Sequence, residues 1–246
     1  MTAEPDSKQD SMSDPVVLLP SDTNDSGWLI QCDFDGTISV DDVTDALLER
    51  FARPGWREIE AEWETGRIGS GECMKRQVAL LDVSRAELDD FLAGVAIDPY
   101  FVSFVMAARR LGIVLEVVSD GIDHAIHRIL ALHGLDGLSV RANHLVQLDE
   151  RRWRLTSPNA SAMCISACGT CKCELLAHHT AASRKVLFVG DGRSDFCVAA
   201  KADFVLAKSK LVDHCTRHGI AHAAFRNFED ALALMVGTVD RSRVSA

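Results

Sequence analysis

The stretch Trp28-Leu29-Ile30-Gln31-Cys32-Asp33-Phe34-Asp35-Gly36-Thr37 decides the reading of this chain. Five mostly apolar residues read as a short buried strand, and an acidic turn closes it. Carboxylates at i and i+2 project to the same side where strand geometry persists. Such a pair can share one hard cation, or divide into nucleophile and general acid/base. Gly36 permits a sharp turn, and Thr37 offers a hydroxyl and an N–H to an anion. The plain alternative is an Asp-rich surface turn. An EF-hand is excluded, because position 37 should be acidic or Asn with Gly next, and Thr44 stands where the last Glu belongs.

Two more apolar runs end the same way. Ile113 to Val118 runs into Ser119-Asp120-Gly121, and Lys185 to Val189 runs into Gly190-Asp191-Gly192-Arg193-Ser194-Asp195. Phe204-Val205-Leu206 reads as a fourth strand. Near-continuous apolar strands followed by helices predict an α/β fold, a parallel sheet covered on both faces. In such a sheet ligands bind at the C-terminal ends of the strands, where all three turns fall. Each turn alone reads equally as a helix cap; their coincidence carries the argument. Ser119 and the N–H groups near Asp120 and Gly121 make an anion site ahead of a helix. Asp191 and Asp195, four apart, suit a cation. A dinucleotide loop is excluded, since Asp195 occupies the last glycine position of that motif. Lys172, opening a helical stretch before the third run, is the candidate to hold a phosphate and neutralise a carboxylate. Lys185 competes with it, but begins a strand rather than ending one.

The helices have recognisable ends. Asp98-Pro99 opens one running to Arg110, and Asp123 is expected to cap His124 to His133. Residues 41–97 hold four helical patterns, Val43–Phe51, Trp56–Glu64, Glu72–Leu81 and Ala86–Ala93, with no strand between them. Ser84-Arg85-Ala86-Glu87 reads as a capping box. This is a helical insert over the C-terminal edge of the sheet. It separates 28–40 from 98–246, which form the core. Residues 138–156 read as a hairpin turning near Asp149-Glu150, and the segment 138–173 joins that hairpin to a cysteine-rich loop.

Composition narrows the class. The chain has 246 residues, 47% of them apolar and 25% charged, which fits one globular domain with an insert. Residues 1–27 hold six acids and one lysine around a short apolar patch, Val16 to Leu19, and read as a disordered tail. The net charge of −10 argues against nucleic acid. No apolar run approaches the roughly 18–20 residues of a membrane span. The first residues lack the basic and apolar regions of a signal peptide, so the expected location is cytoplasmic.

In this order DFDGT, strand-SDG, Lys172 and GDGRSD resemble the four motifs of the haloacid dehalogenase superfamily of phosphohydrolases. The likeness covers roughly residues 28–237. It implies a Rossmann-like core, Mg²⁺, an aspartyl-phosphate intermediate and a small phosphorylated metabolite as substrate. Carried over, Asp33 is nucleophile and metal ligand. Asp35 is general acid/base, with its carbonyl on the metal. Ser119 and Lys172 hold the phosphoryl group, Asp191 ligates the metal and Asp195 supports it. The insert resembles the cap of the phosphoserine phosphatase-like branch. There Asp42 stands in place of a Glu that reads the substrate amine, and Lys75 in place of an Arg that reads its carboxylate. Lys lacks the bidentate fork of Arg, so the departure weighs against phosphoserine. Ala142-Asn143-His144, Ser157-Pro158 and the clustered cysteines before Lys172 are similar to the 2-hydroxy-3-keto-5-methylthiopentenyl-1-phosphate phosphatases of methionine salvage. The alternatives are a phosphoserine phosphatase, a phosphotransferase using the same intermediate, and a non-catalytic binding module.

Cys164, Cys168, Cys171 and Cys173 fall within ten residues. Reduced thiols packing a loop, a structural Zn²⁺ and a disulfide between Cys168 and Cys171 are the three readings. Cys32, Cys73, Cys197 and Cys215 read as core filler. His124 and His127 share a helix face that could approach the site after Ser119, but surface or helix-face histidines are the plainer reading. Trp56 and Trp63, seven apart, read as the apolar core of the insert.

Overall fold

The first strand, β1 (Trp28–Cys32), is buried along its whole length, so both of its faces must be covered. The computed structural model describes residues 27–182 and 184–244, the side chains of 241–244 excepted. Apart from Gly27, the tail expected over 1–27 and its apolar patch lie outside the described residues. Six further strands complete the sheet: β2 (Val114–Ile122), β3 (Ser139–Gln147), β4 (Trp153–Thr156), β5 (Lys185–Gly190), β6 (Phe204–Ala207) and β7 (His222–Ala224). Their order is β4-β3-β2-β1-β5-β6-β7. Every neighbouring pair is parallel except β3 with β4, so the expected hairpin forms the antiparallel edge. β7 was not apparent in the sequence.

The alternation of side chains splits β1 between two apolar cores. Ile30 and Cys32 join one, Leu29 the other. Between β1 and β2 come α1 (Val43–Phe51), α2 (Trp56–Glu64), α3 (Ser70–Val78), α4 (Arg85–Leu92) and α5 (Phe101–Arg110). Later come α6 (Asp123–Leu132), α7 (Lys172–Ala181), α8 (Phe196–Ala199), α9 (Lys210–His218) and α10 (Phe228–Val244). Phe101 and Phe104 of α5, Ile126 of α6 and Phe228 of α10 fill the first core, while Leu176 of α7, Val198 of α8 and Leu211 of α9 fill the second. The fold is therefore the Rossmann-like α/β arrangement, with helices on both faces of a mostly parallel sheet.

Local signals explain most boundaries. The Ser84 capping box is formed, with Glu87 N–H donating to Ser84 Oγ (3.3 Å) and Ser84 N–H to Glu87 Oε2 (2.8 Å). Asp98 serves two helices: Tyr100 N–H and Phe228 N–H both donate to its carboxylate. Three expectations shift. α3 begins at Ser70 rather than Glu72 and ends at Val78. β2 continues through Ser119-Asp120-Gly121 to Ile122, with a register irregularity against β3, because Ile122 still pairs with Asn143. Asp123 is accordingly the first residue of α6 rather than its cap; its carboxylate accepts from His124 N–H (2.6 Å) and Leu145 N–H (3.0 Å).

The helices α1 to α4 leave and rejoin the core on a paired stem. Ser39 bridges Ile97, Val40 N–H donates to Ala96 O (3.1 Å), and Asp98 N–H donates to Ile38 O (2.9 Å). The insert thus stands over the C-terminal ends of β1, β2 and β5, where the three acidic turns lie.

Candidate active site

Three side chains meet below the end of β1. Lys172 Nζ lies 2.8 Å from Asp33 Oδ1 and 2.6 Å from Asp195 Oδ1. Asp33 is 4% exposed, Lys172 3% and Asp195 0%, so the group is shielded from water. An ammonium removed from water needs compensating charge. Here the surrounding anions outweigh the cost. Burial pulls the Lys172 pKa down, but Asp195 and Asp33 raise it above its ordinary value. Lys172 thus stands among the acids, whereas the Lys185 ammonium lies over the Trp28 ring at the opposite end of β5.

One lysine does not balance three acids. Ligand oxygens of Asp33, Asp191 and Asp195 all lie within 4.8 Å of one another. Burial pushes Asp33 well above the usual carboxylate range; Asp195 pushes the same way and Lys172 pulls back. Burial and then Asp195 also raise Asp191, while Thr37 and Lys172 pull it back. Packed oxygen donors with surplus negative charge are what a hard divalent cation requires, so the residues fit Mg²⁺. Gly36 belongs to the same structure: its φ is +70°, and a Cβ there would stand 2.8 Å from Asp191 Oδ2.

Asp35 stands two residues beyond Asp33 and lines the cavity above it. Its Oδ1 accepts from Val43 N–H (2.9 Å), the first amide of α1. Burial raises it to about 6, against the pull of Val43 N–H and Lys172, so it can carry a proton near neutrality. Ser119 Oγ accepts from Gly121 N–H (3.0 Å) on the same wall, and a side chain on Gly121 would collide with Asp35.

Several expected positions fall elsewhere. Thr37 is fully buried and donates to Asp191 Oδ1 (3.0 Å), so its hydroxyl is turned to an acid of the cluster instead of towards a phosphate. The Asp120 carboxylate accepts from Thr170 N–H (2.8 Å), Asn143 Nδ2 (3.2 Å) and Ser70 Oγ; it ties β2 to the insert and the cysteine loop. Asp42 caps α1, accepting from Asp45 N–H (2.9 Å), and lines the cavity. Lys75 is exposed and does not line it. The inward face of α3 is Ser70, Cys73, Met74 and Gln77, and Lys75 lies off that stripe. His124 also points away, with Nε2 2.5 Å from Asp89 of α4. Trp63, expected in the apolar core, lines the cavity instead.

The cavity has a volume of about 620 Å³. Its outer wall carries Asp41, Asp42, Asp45, Glu60 and Glu64, and its basic lining comes from Arg193, Lys208 and Lys210 of the core. Asp42 is exposed as a residue, yet desolvation of its carboxyl, with Asp35 and Asp45 beside it, pushes its pKa well up. Burial raises Glu60; Gln77 pulls it back and Asp45 pushes it up again. Sequence reasoning missed Lys208, whose Nζ donates to Gly36 O (3.1 Å). Its place just after β6, a strand legible in the sequence, was the available signal.

All eight cysteines are free. Cys197, expected as core filler, interacts through its thiol with Cys168 and Cys173, whose S–H groups lower it. Cys164 interacts in turn with Cys168 and Cys171. Among the described residues these sulfurs do not gather into a metal-holding group; the acid triad does.

A mostly parallel sheet with helices on both faces and a buried Asp–Lys–Asp group at its C-terminal edge defines a Rossmann-like α/β protein with a candidate catalytic centre at the strand ends. The chain belongs to the haloacid dehalogenase-like hydrolase family, whose model matches residues 30–200. It is 32% identical over 209 residues to the 2-hydroxy-3-keto-5-methylthiopentenyl-1-phosphate phosphatase of Exiguobacterium sp., covering 84% of this chain and 96% of that one. The Brevibacillus brevis protein of the same name is also 32% identical, covering 83% and 93%. Among solved structures, a phosphoserine phosphatase in its phospho-aspartyl intermediate analogue form matches with a TM-score of 0.64 and 21% identity, over 84% of this chain and 98% of that one. That last likeness is one of fold. Among the described residues no helix is long and apolar enough to cross a membrane.

Proposed function

We propose that the chain hydrolyses a small phosphomonoester, with Asp33 as nucleophile and Asp35 as general acid/base. The observation that carries this reading is the buried Lys172 bridging Asp33 and Asp195, with Asp35 two residues on in the cavity wall. Asp33 attacks phosphorus, the bond to the ester oxygen breaks, and Asp35 gives its proton to the departing alkoxide. Asp35 then takes a proton from water, whose oxygen attacks phosphorus and breaks the bond to Asp33. Lys172 and Ser119 hold the phosphoryl oxygens as charge develops. Asp33, Asp191 and Asp195, with the Asp35 carbonyl, would hold Mg²⁺, which would supply electrophilic assistance when bound. A structural Zn²⁺ at the cysteine loop is not part of this reading.

The wall of the cavity bears on the substrate. Phosphoserine would bring its carboxylate among Asp41, Asp42, Asp45, Glu60 and Glu64, with Lys75 turned away. The ester named for the curated relatives ends in a neutral methylthio group, and Met74 and Trp63 give such a group apolar surface. We therefore favour a phosphomonoester with a neutral far end, of the methionine-salvage kind, over phosphoserine. Hydrolysis of p-nitrophenyl phosphate and of both metabolite esters, with and without Mg²⁺, tests the proposal. The expected result is Mg²⁺-dependent turnover that prefers the methylthiopentenyl ester. Asp33→Asn should lower kcat by about 10³-fold or more while leaving the fold intact. A wild-type protein inert towards all three esters would overturn the reading.

A further inference from the structure

Ser119 and Lys172, the two groups proposed to hold the phosphoryl oxygens, come from different elements, the end of β2 and the start of α7. A binding pair of that kind has to be held to about half an ångström. β2 reaches Ser119 through a bulge. Val118 pairs with Arg141 and Ile122 with Asn143, so four steps along β2 match two along β3. A bulge re-aims side chains and leaves backbone groups outside the ladder. Asn143 supplies a partner from its side chain. Fully buried, it donates Nδ2–H to Asp120 O (2.6 Å) and to Asp120 Oδ1 (3.2 Å).

The Asp120 carboxylate carries the restraint across to Lys172. Its Oδ1 also accepts from Thr170 N–H (2.8 Å), and Thr170 O accepts from Lys172 N–H (3.0 Å). Two hydrogen bonds thus join the residue next to Ser119 to the backbone of Lys172. Gly169 lies against the Asn143 amide, where a Cβ would stand 2.4 Å from Oδ1. Thr170 and Asn143 are both buried, which strengthens bonds made between them and Asp120. The second carboxylate oxygen, Oδ2, accepts from Ser70 of α3. Asp120 lines the cavity beside Ser119 and Gly121, yet its carboxylate is engaged by donors of the protein.

We propose that Asp120 and Asn143 are positioning residues, which hold Ser119 and Lys172 at the spacing a phosphoryl group needs. The catalytic consequence rests on the phosphomonoesterase reading; the link from β2 to α7 does not. Amide hydrogen exchange followed by NMR reads the link without turnover. In Asp120→Ala the Thr170 amide should exchange about tenfold faster or more, the factor of one hydrogen bond to a charged acceptor. In Asp120→Asn it should stay within about threefold of wild type, because Oδ1 still accepts and the new Nδ2 donates to Ser70 Oγ. In Asn143→Ala it should speed up by a smaller factor than in Asp120→Ala. Amides of α10 should be unchanged in all three, which tells the link apart from a general loss of stability. With p-nitrophenyl phosphate and Mg²⁺, Asp120→Ala should lower kcat by about 10²-fold, as for an ångström of misplacement, with KM within about fivefold of wild type. Asn143→Ala should lower kcat less. Asp120→Asn should recover kcat to within about fivefold of wild type. The double alanine variant should fall by less than the product of the single effects, since both act through one link. An unchanged Thr170 amide in Asp120→Ala, or additive effects in the double variant, would overturn the link. So would Asp120→Asn as slow as Asp120→Ala, which would make the charge itself the active feature. A rise in KM at constant kcat would make Asp120 a substrate contact and overturn the positioning role. If Asp120→Ala does not fold, Asn143→Ala and Asp120→Asn decide the same question, with Thr170 exchange faster in the first and near wild type in the second. A wild type without turnover would overturn only the phosphomonoesterase reading, and Thr170 exchange would still decide the link.

Discussion

The floor and the outer wall of the cavity are both acidic, but their charges are arranged differently. On the floor Asp33, Asp191 and Asp195 are packed around Lys172 with oxygens in reach of one cation. On the wall Asp41, Asp42, Asp45, Glu60 and Glu64 stand at the edge of solvent with no lysine or arginine of the insert among the lining residues. Buried charges are held in one geometry because each is costly unpaired. Solvated charges act through a screened field and bias which ligands approach. On the proposed reading the floor carries the chemistry, and the wall weights the choice of substrate.

The largest expected effect tests the floor. Lys172→Met leaves Asp33 and Asp195 without their shared cation, a change worth about 3–5 kcal/mol in stability and roughly 10²-fold or more in kcat. Mg²⁺ should restore part of the lost melting temperature in this variant, because a divalent ion can pair the same acids. Thermal unfolding with and without Mg²⁺ checks it. Equal melting of variant and wild type in metal-free buffer would mean that the Asp33–Lys172–Asp195 pairing contributes nothing. Next in size is Gly36→Ala, which forces a side chain into a φ of +70° and against Asp191. The concentration of Mg²⁺ for half-maximal activity should rise about tenfold or more.

A smaller effect tests the wall. Asp42→Asn keeps the capping oxygen for Asp45 N–H and removes one charge. KM for phosphoserine should fall by up to about fivefold, the range of a solvent-exposed charge contact, with no change for an uncharged ester. Steady-state kinetics on the two esters read the difference directly. A parallel shift for both would remove the wall from the choice of substrate.

The contrast between floor and wall also explains what the sequence made legible. Strand ends are read from apolar runs, and Asp33, Asp35, Asp191 and Asp195 lie at or just beyond such ends. Lys172 is placed by the helix that it opens. What the pattern did not carry was side-chain direction. Thr37 sits beside Asp35 in sequence, yet turns inward to Asp191. Cys197 has no cysteine neighbour in sequence, and only the packing of α8 on the loop 164–173 brings it there. Trp63 lies under the Arg193 guanidinium, 5.5 Å from its ring centroid, yet the two are 130 positions apart and nothing local pairs them. β7 is three residues long with a histidine and two alanines, so it lacks the apolar run that announces a strand.

A still smaller effect concerns how the insert is held. Glu87 accepts from the Ser84 hydroxyl and N–H and pairs with Arg151, which lowers its pKa to about 2. A carboxylate held below its unfolded value of about 4.5 stabilises the fold above that pH, and the contribution fades as pH falls towards about 2. Wild type and Glu87→Gln should therefore differ in melting temperature at pH 7, the difference shrinking below about pH 4.5 and closing only as pH approaches about 2. A difference that persists unchanged at low pH would assign the effect to packing.

The smallest expected effect is the sharpest for the wall. If charge on the lining decides the substrate, a cation beside but outside that lining should be silent. Lys75 supplies this control, since it lies one residue from Met74 and two from Gln77, both of which face the cavity, and is itself exposed. Successive helical residues are turned by about 100°, so α3 presents Met74 and Gln77 inward while Lys75 looks to solvent. Lys75→Ala should change stability by less than about 0.5 kcal/mol and leave KM for phosphoserine and for the neutral ester where they were. A rise in KM confined to phosphoserine would mean that α3 turns Lys75 inward when a carboxylate is bound. The wall would then be a surface that re-forms around its ligand.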